Sequence, residues 1–185
     1  MYKALLFLII LAGCSSPIET ERCFHFPNKI TSSFENESGG KFKSSSVHNI
    51  GDIITQTEEF SFKGKHGLKL DSSNIYGGTI KLPVKAGDIL KVKIKRLIKS
   101  KSSLVLVISG GKYASTNKGK KINEEWEELE IRSTVYSTDK EPTATIYTYY
   151  NKHDKAPAYF DELEIEIFGR DDTIHHPKIN NALSL

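Results

Sequence analysis

The chain has 185 residues, of which 38% are hydrophobic and 10% aromatic, so it can bury a core of ordinary size and is not a disordered polymer. Lysine and arginine total 26 against 23 acidic residues, and the net charge of +3 is too small to indicate nucleic-acid binding. Because Cys14 and Cys23 are the two cysteines, the sequence excludes a zinc site of the Cys-x-x-Cys type.

Residues 1–13 have the pattern of a signal peptide, with Lys3 ahead of the apolar run Ala4–Ala12. This run is far shorter than the roughly 20 residues of a membrane-spanning helix. It ends in Leu11-Ala12-Gly13-Cys14, which resembles the lipobox of bacterial lipoproteins. The resemblance implies cleavage before Cys14 and stable anchoring through several acyl chains on that residue. The alternative is an ordinary secretory signal, after which Cys14 and Cys23 are free to pair.

The remaining chain divides into three parts by composition. Residues 14–29 carry two prolines and no periodicity, and we interpret them as a lipidated tether. Residues 30–169 form the folded domain, and residues 170–185 form a polar tail. The residue after the lipobox cysteine is Ser15 rather than Asp. By resemblance to other bacterial lipoproteins, this favours the outer membrane of the cell envelope as the location.

Alternation of apolar and polar residues predicts β-strands throughout residues 30–169. The alternating segments are Phe60–Phe62, Leu68–Leu70, Ile80–Val84, Lys91–Lys95, Leu129–Ile131 and Leu163–Ile167. Turn signals rich in Gly, Asn and Asp separate them, and no long helical pattern is present. The continuous apolar run Leu104–Ile108 favours a strand buried on both faces. Short strands at close intervals predict an all-β sandwich of two antiparallel sheets.

Several stretches in fixed order carry a resemblance to a known family: Ser33-Phe34-Glu35, Lys65–Leu70, Val84–Asp88, Trp126–Ile131 and Tyr159–Ile165. Together they resemble carbohydrate-binding modules of the galactose-binding-like jelly-roll type, grouped with families four, nine and twenty-two. The resemblance covers roughly residues 30–168. It implies a jelly-roll β-sandwich that binds glycans without cleaving them.

Asp161 is the candidate metal ligand. It has the parity of the apolar residues in strand 163–167, which predicts that its carboxylate points toward the core. A buried carboxylate is costly unless it is paired or bound to metal. The family resemblance implies a structural Ca²⁺ held by Asp161, Glu35 and backbone carbonyls of the Lys63–Gly67 turn, Lys65 among them, because hard oxygen ligands suit calcium. The alternative is a strand that begins after Asp161 and leaves it at a solvated rim.

Tyr147 and Tyr149 are the main candidate ligand-binding residues, because both face outward if Ile146 faces the core. The outward stripe of another predicted strand consists of Lys91, Lys93 and Lys95. If the two strands share a sheet, the surface offers stacking rings and cationic donors to an anionic or hydroxyl-rich glycan. The alternative is a solvated face whose lysines pair with glutamates of residues 162–166.

Trp126 is a further candidate, since strict alternation places it on the Glu-rich face of its strand with Glu128 and Glu130. An exposed indole there is suited to stacking on a sugar ring. The alternative is a packing role just ahead of the strand. Tyr76 and Tyr113, beside glycine-containing turns, are additional loop candidates.

We therefore expect a membrane-anchored, non-catalytic lipoprotein that binds a glycan or polysaccharide. A second hypothesis is a structural or docking lipoprotein that binds a partner protein of an envelope complex. An exposed apolar patch without an aromatic cleft would favour it. The third is a polysaccharide lyase, which needs His48, His66 or His153 close to a tyrosine in a cleft. No catalytic constellation is legible, so the expectation is that the protein is not an enzyme.

Overall fold

The computed structural model describes residues 29–35, 37–38, 40–44, 49–51, 53–100, 102–110, 112–136 and 142–169. The predictions for the signal peptide, Cys14, most of the tether and the tail lie outside these residues. Helical structure in the described part consists of two 3₁₀ turns, Ile53–Thr55 and Ile98–Ser100. No helix in these ranges is long and apolar enough to cross a bilayer.

Fourteen strands are described. In chain order they are β1 (Lys29–Ser32), β2 (Glu37–Ser38), β3 (Lys41–Lys43), β4 (Asn49–Ile50), β5 (Gln56–Thr57), β6 (Gly67–Leu70), β7 (Tyr76–Pro83), β8 (Ile89–Leu97), β9 (Leu104–Ser109), β10 (Ala114–Thr116), β11 (Gly119–Lys121), β12 (Trp126–Thr134), β13 (Thr143–Tyr150) and β14 (Ala158–Phe168). The pairs among them are antiparallel. The predicted all-β class is therefore confirmed.

The strands form two principal sheets and one small sheet. The larger sheet has the order β11-β12-β8-β14-β6-β5, with β1 also paired to β14. The smaller sheet has the order β10-β9-β13-β7, and β2, β3 and β4 form the additional sheet. From β6 to β9, and again from β12 to β14, successive strands alternate between the two principal sheets. This alternation is the jelly-roll sandwich that the sequence predicted.

The core lies between the two principal sheets because each long strand turns its apolar parity inward. Leu90, Val92 and Ile94 of β8 are buried, whereas the lysines between them lie on the outer face. Phe34 lies at the end of this core, with ring centroids 5.3 Å from Phe42 and 5.9 Å from Phe160, both edge to face. Edge-to-face packing of this kind adds to the free energy gained from burial alone.

Arg96 connects the two sheets from inside the sandwich. It continues the inward parity of β8 and is only 9% exposed. Its Nη1 donates to the carbonyl of Leu104 in the smaller sheet at 2.8 Å, and its Nη2 donates to the carbonyl of Asn117 at 2.9 Å. Nε and Nη2 both donate to Glu127 Oε1, at 2.9 and 2.6 Å. The guanidinium charge is thus compensated where it is buried.

One strand prediction is wrong, and another holds with one exception. Phe60–Phe62 alternates like a strand but belongs to a non-strand segment, residues 58–66, which we call the strap. The strap runs between β5 and β6 and packs its rings on the outer side of the larger sheet. The run Leu104–Ile108 forms β9 and is buried on both faces as predicted, except that Val105 on the outer face is only partly buried. The outer face of β9 is therefore partly open.

Candidate functional site

An aromatic cleft crosses the outer face of the smaller sheet. Its volume is about 420 Å³, and we call it the tyrosine cleft. The residues that line it are Tyr76, Val105, Val107, Tyr113, Ser115, Tyr147 and Tyr149. Within the described residues its lining contains no charged side chain. The cleft therefore offers rings, hydroxyl groups and an apolar floor.

Strand β13 supplies the centre of the cleft. Ile146, Thr148 and Tyr150 are buried, so Tyr147 and Tyr149 between them face outward, as the sequence predicted. In the sheet, Tyr147 pairs with Val107 and Tyr149 pairs with Val105. Because paired residues point to the same face, the two valines lie beside the two tyrosines as the floor of the cleft.

Tyr76 and Tyr113 come from opposite edges of the same sheet. Tyr76 opens β7 and is 55% exposed, and Tyr113 directly precedes β10 and is 62% exposed. The Tyr76 ring centroid lies 5.8 Å from that of Tyr147 and 5.4 Å from that of Tyr149. Tyr76 is therefore packed against the central tyrosines while much of its ring stays accessible to a ligand.

Burial raises the pKa of the Tyr147 hydroxyl, and the neighbouring Tyr113 and Tyr76 raise it further. The phenol consequently remains neutral at pH values where an isolated tyrosine begins to ionise. A neutral phenol both donates and accepts hydrogen bonds. Tyr147 can therefore pair with a sugar hydroxyl in either role.

Lys93 and Lys95 do not belong to this site. Their strand, β8, lies in the larger sheet, whereas β13 lies in the smaller sheet, so the predicted surface of lysines and tyrosines does not form. Lys95 is bonded to Glu128, and Lys93 lies 3.8 Å from a Glu128 oxygen. Lys91 is bonded to Glu166 at 2.8 Å. The alternative of a solvated face with paired lysines is the one observed.

Trp126 is not an exposed stacking platform, because only 5% of it is accessible. It has the predicted outward parity, but the strap covers it. The Phe62 ring lies 5.6 Å from the indole, edge to face, and Leu97 and Tyr159 complete a small apolar cluster. Its observed role is packing, the alternative considered from the sequence.

Asp161 is fully buried, but not on the side that its parity predicted. A β-bulge lies between Asp161 and Glu164, and Glu162 adopts a φ of 51°. The extra residue in the bulge shifts the in-out alternation by one position. Asp161 therefore pairs with Lys95 on the outer face of the sheet, where the strap covers it. Burial raises the pKa of its carboxyl group to about 6. The backbone N–H groups of Lys63, Glu162 and Phe62 act in the opposite direction, because their hydrogen bonds stabilise the ionised carboxylate.

Asp161 and Glu35, the predicted calcium ligands, both accept hydrogen bonds from the backbone of the strap. In the described ranges no group of three or more His, Cys, Asp or Glu side chains could hold an ion. Glu35 accepts hydrogen bonds from the backbone N–H groups of Lys65 and His66. Burial raises the pKa of its carboxyl group, but these bonds lower it by more, so the pKa lies below its usual value.

Of the three histidines named in the lyase hypothesis, the two that the structure describes, His66 and His153, do not line the cleft. His66 contacts Glu35 and Glu58 beside the larger sheet. His153 lies in the exposed turn after β13 and is not among the lining residues. His48 lies outside the described residues.

Three lining residues were missed from the sequence: Val105, Val107 and Ser115. The sequence predicted a strand buried on both faces here, and Val107 is indeed only 2% exposed; that both valines face the cleft is visible only from their pairing with Tyr147 and Tyr149. The short segment Tyr113-Ala-Ser115 does alternate, and this was the available signal that Ser115 shares a face with Tyr113.

No protein-family model matches the sequence, and no curated protein matches it at a significant level. Solved structures do resemble it in fold. The CBM22-1 xylan-binding domain of Paenibacillus barcinonensis Xyn10C is 15% identical, with a TM-score of 0.43 over 74% of this chain and 92% of that domain. The C-terminal family 22 carbohydrate-binding module of Clostridium thermocellum Xyn10B is 13% identical, with a TM-score of 0.44 over 75% and 93%.

The comparison with solved structures also found a cyclase. A cyclase from Fischerella sp. TAU is 6% identical, with a TM-score of 0.41 over 77% of this chain and 85% of the cyclase. At such identities the likeness concerns architecture, and one architecture hosts unrelated functions. The fold and the site together define a jelly-roll β-sandwich with an uncharged aromatic cleft on its smaller sheet.

Proposed function

We propose that this protein binds carbohydrate, without cleaving it, in the tyrosine cleft. The observation that carries the proposal is the convergence of four tyrosines around one open, uncharged cleft of about 420 Å³. Two of these rings are more than half exposed although they are large and partly apolar. Exposed aromatic surface in a concave site is a common feature of ligand binding.

The cleft matches the surface of a sugar. A pyranose ring has faces of C–H groups and a rim of hydroxyl groups, so it needs apolar contact and hydrogen bonds at once. Tyr76 and Tyr113 supply accessible ring faces, and Tyr147 supplies a neutral hydroxyl close to both. Val105 and Val107 keep the floor apolar, which favours displacement of water by the sugar face.

The expected ligand is a neutral glycan rather than an anionic one. Binding of a carboxylate or sulfate group favours a basic side chain at the contact. Within the described residues none lines the cleft, and Lys93 and Lys95 are engaged with glutamates on the other sheet. Of the anionic and hydroxyl-rich glycans that the sequence alone allowed, we therefore expect a neutral, hydroxyl-rich one.

The proposal is tested by titration calorimetry with neutral oligosaccharides, using residues 15–185. Replacing Tyr147 or Tyr149 by Ala removes ring surface from the cleft, and we expect the affinity to fall by at least about tenfold. Tyr136→Ala is the matched control, because Tyr136 is 67% exposed and lies outside the cleft. It should leave the affinity unchanged.

Loss of binding in the cleft variants alone, with unchanged unfolding temperatures, would support a glycan site. A folded wild-type protein that binds no neutral or acidic glycan would instead favour the docking hypothesis. Equal losses in Tyr136→Ala and Tyr147→Ala would place the binding surface outside the cleft.

We further propose that the protein works on a bacterial membrane, anchored through lipid on Cys14 and located in the outer membrane. The support is the sequence Leu11-Ala12-Gly13-Cys14 after a short apolar run. We expect Cys14→Ala to move the protein from the membrane fraction to the soluble fraction and to abolish labelling by a radioactive fatty acid. Membrane retention of Cys14→Ala would contradict lipid anchoring at this residue.

A further inference from the structure

The strap, residues 58–66, is fastened to the sandwich by two carboxylates from distant parts of the chain. Asp161 of β14 fastens its middle. Its Oδ2 accepts hydrogen bonds from the backbone N–H groups of Phe62 at 2.9 Å and Lys63 at 3.1 Å. Its Oδ1 accepts a third from the N–H of Glu162 at 2.7 Å. Both oxygens of this buried carboxylate are thus engaged by N–H donors.

Glu35, which follows β1, fastens the end of the strap in the same way. Its Oε1 accepts bonds from the backbone N–H groups of Lys65 and His66, each at 2.7 Å. Its Oε2 lies 2.9 Å from Nδ1 of the His66 ring. The strap fits closely here, because a methyl group added at Gly64 would overlap Glu35 Oε1.

These two carboxylates are the ones that the family resemblance assigns to a structural Ca²⁺, together with carbonyls of the strap. Calcium requires six to eight oxygen ligands around the ion. The strap instead directs N–H groups at both carboxylates, and the positive end of an N–H dipole repels a cation. Oδ2 of Asp161 and Oε1 of Glu35 each already accept two donors. The donor set observed does not fit calcium.

The His66 ring strengthens this arrangement. Its Nδ1 faces Glu35, and its Nε2 lies 3.3 Å from Oε1 of Glu58, a strap residue. Lys65 Nζ also contacts Glu58, at 2.8 Å. The Lys65 ammonium group and the N–H of the His66 ring therefore lie beside the acidic groups of the strap, in the place where a metal site would present oxygen.

We propose that hydrogen bonds from the strap backbone and the His66 ring take the place of a structural cation, so that this sandwich closes and stays folded without calcium. The proposal concerns stability and is independent of what the tyrosine cleft binds.

The first test is thermal unfolding of the full chain, purified in mild detergent, in millimolar CaCl₂ and in excess EGTA. We expect the two unfolding temperatures to agree within about 1 °C, and calorimetric titration with CaCl₂ to show no saturable heat. A saturable rise of roughly 3 °C or more with CaCl₂, which corresponds to about 1 kcal/mol for a chain of this size, would overturn the proposal.

The second test asks whether the N–H bonds themselves hold the strap. Glu35→Ala removes the acceptor of three bonds, and we expect its unfolding temperature to fall by at least about 3 °C, equally in CaCl₂ and EGTA. Glu124→Ala is the matched control, since the Glu124 side chain is 91% exposed and far from the strap in its contacts. A deficit of Glu35→Ala that appears only in CaCl₂ would restore the metal site. If Glu35→Ala does not fold, His66→Ala, which removes the ring contacts to Glu35 and Glu58 but leaves the backbone bonds, is measured in its place by the same comparison.

Discussion

Arg96 is a charged residue that the sandwich buries between its sheets, with hydrogen bonds to Glu127 and to two backbone carbonyls. Replacing it by Ala would leave Glu127 without its ion pair and the carbonyl of Leu104 without its side-chain donor. Removing one partner of a buried pair costs far more than the intact pair contributes. We expect Arg96→Ala to lower the free energy of unfolding by about 3 kcal/mol, measured by urea denaturation.

Arg132→Ala is the control for that measurement. The side chain of Arg132 is 64% exposed and its ion pair is with Glu130 two residues earlier. Surface pairs of this kind contribute about 0 to 1 kcal/mol. Equal losses in the two variants would show that Arg96 acts as an ordinary surface charge.

At the residue scale, the sequence predicted which face of its strand a residue points to, but it did not predict whether that residue is exposed to solvent. Alternation correctly placed Tyr147 and Tyr149 outward and placed Trp126 on the outer face of its own strand. Whether an outward residue meets solvent depends on what packs over it, and the strap that covers Trp126 is about 60 residues away in the chain. Alternation also failed at Asp161, because the bulge at Glu162 shifts the period by one residue.

At the scale of elements, the outer face of the larger sheet is an array of opposite charges. Across neighbouring strands, Glu130 lies beside Lys93 and Lys93 beside Glu164. In the next row Lys91 lies between Glu166, to which it is bonded, and Arg132, a like charge whose own ion pair is with Glu130. Opposite charges on adjacent strands stabilise the pairing of those strands, and like charges would oppose it. This face therefore contributes to stability and leaves no unpaired charge among these lysines for a ligand.

Glu166 makes this contribution dependent on pH. Its hydrogen bond to Lys91 lowers the pKa of the carboxyl group in the folded protein. A carboxyl group whose pKa is lower when folded stabilises the protein above its unfolded pKa of about 4.3, and the effect is lost as the pH falls through the folded value. We expect Glu166→Gln to cost about 0.5 to 1 kcal/mol at pH 7 and less at pH 3, by urea denaturation at both pH values.

The same measurement on Glu124→Gln controls for a general effect of removing an acid, because Glu124 has a 91% exposed side chain. A deficit of Glu166→Gln that persists unchanged at pH 3 would show that its role is not ionic.

The position of an element within a sheet was the information that the sequence did not provide. The periodicity of Lys91–Lys95 and of Tyr147–Tyr149 identified two strands and their outer faces. Both strands lie inside sheets, but inside different sheets, because the chain alternates between the two principal sheets from β6 to β9 and from β12 to β14. Sheet membership is set by pairings between distant segments, so no local pattern could show that lysines and tyrosines are on opposite sides of the molecule.

At the scale of the whole molecule, its two outer faces respond to different solution conditions. The larger sheet has ion pairs, which salt screens, and the smaller sheet has an uncharged cleft. Raising NaCl from 0.05 to 0.5 M should lower the unfolding temperature by roughly 1 to 3 °C. Over the same range, the Kd for a neutral oligosaccharide should change by less than about twofold, as measured by calorimetry. A Kd that rises steeply with salt would indicate an ionic contact and hence an anionic ligand.

The pairing of β1 with β14 has a consequence for how the protein is made. Lys29 pairs with Glu166 and Ser32 with Leu163, and β8 lies between β12 and β14, both of which follow it in the chain. A ribosome synthesises β1 and β8 well before β14 exists, so the larger sheet cannot be completed until β14 has been synthesised. Folds dominated by such distant pairings also form slowly. We therefore expect this part of the nascent polypeptide to remain unfolded until β14 has left the ribosome, the condition in which a chain can still be threaded through a narrow membrane channel.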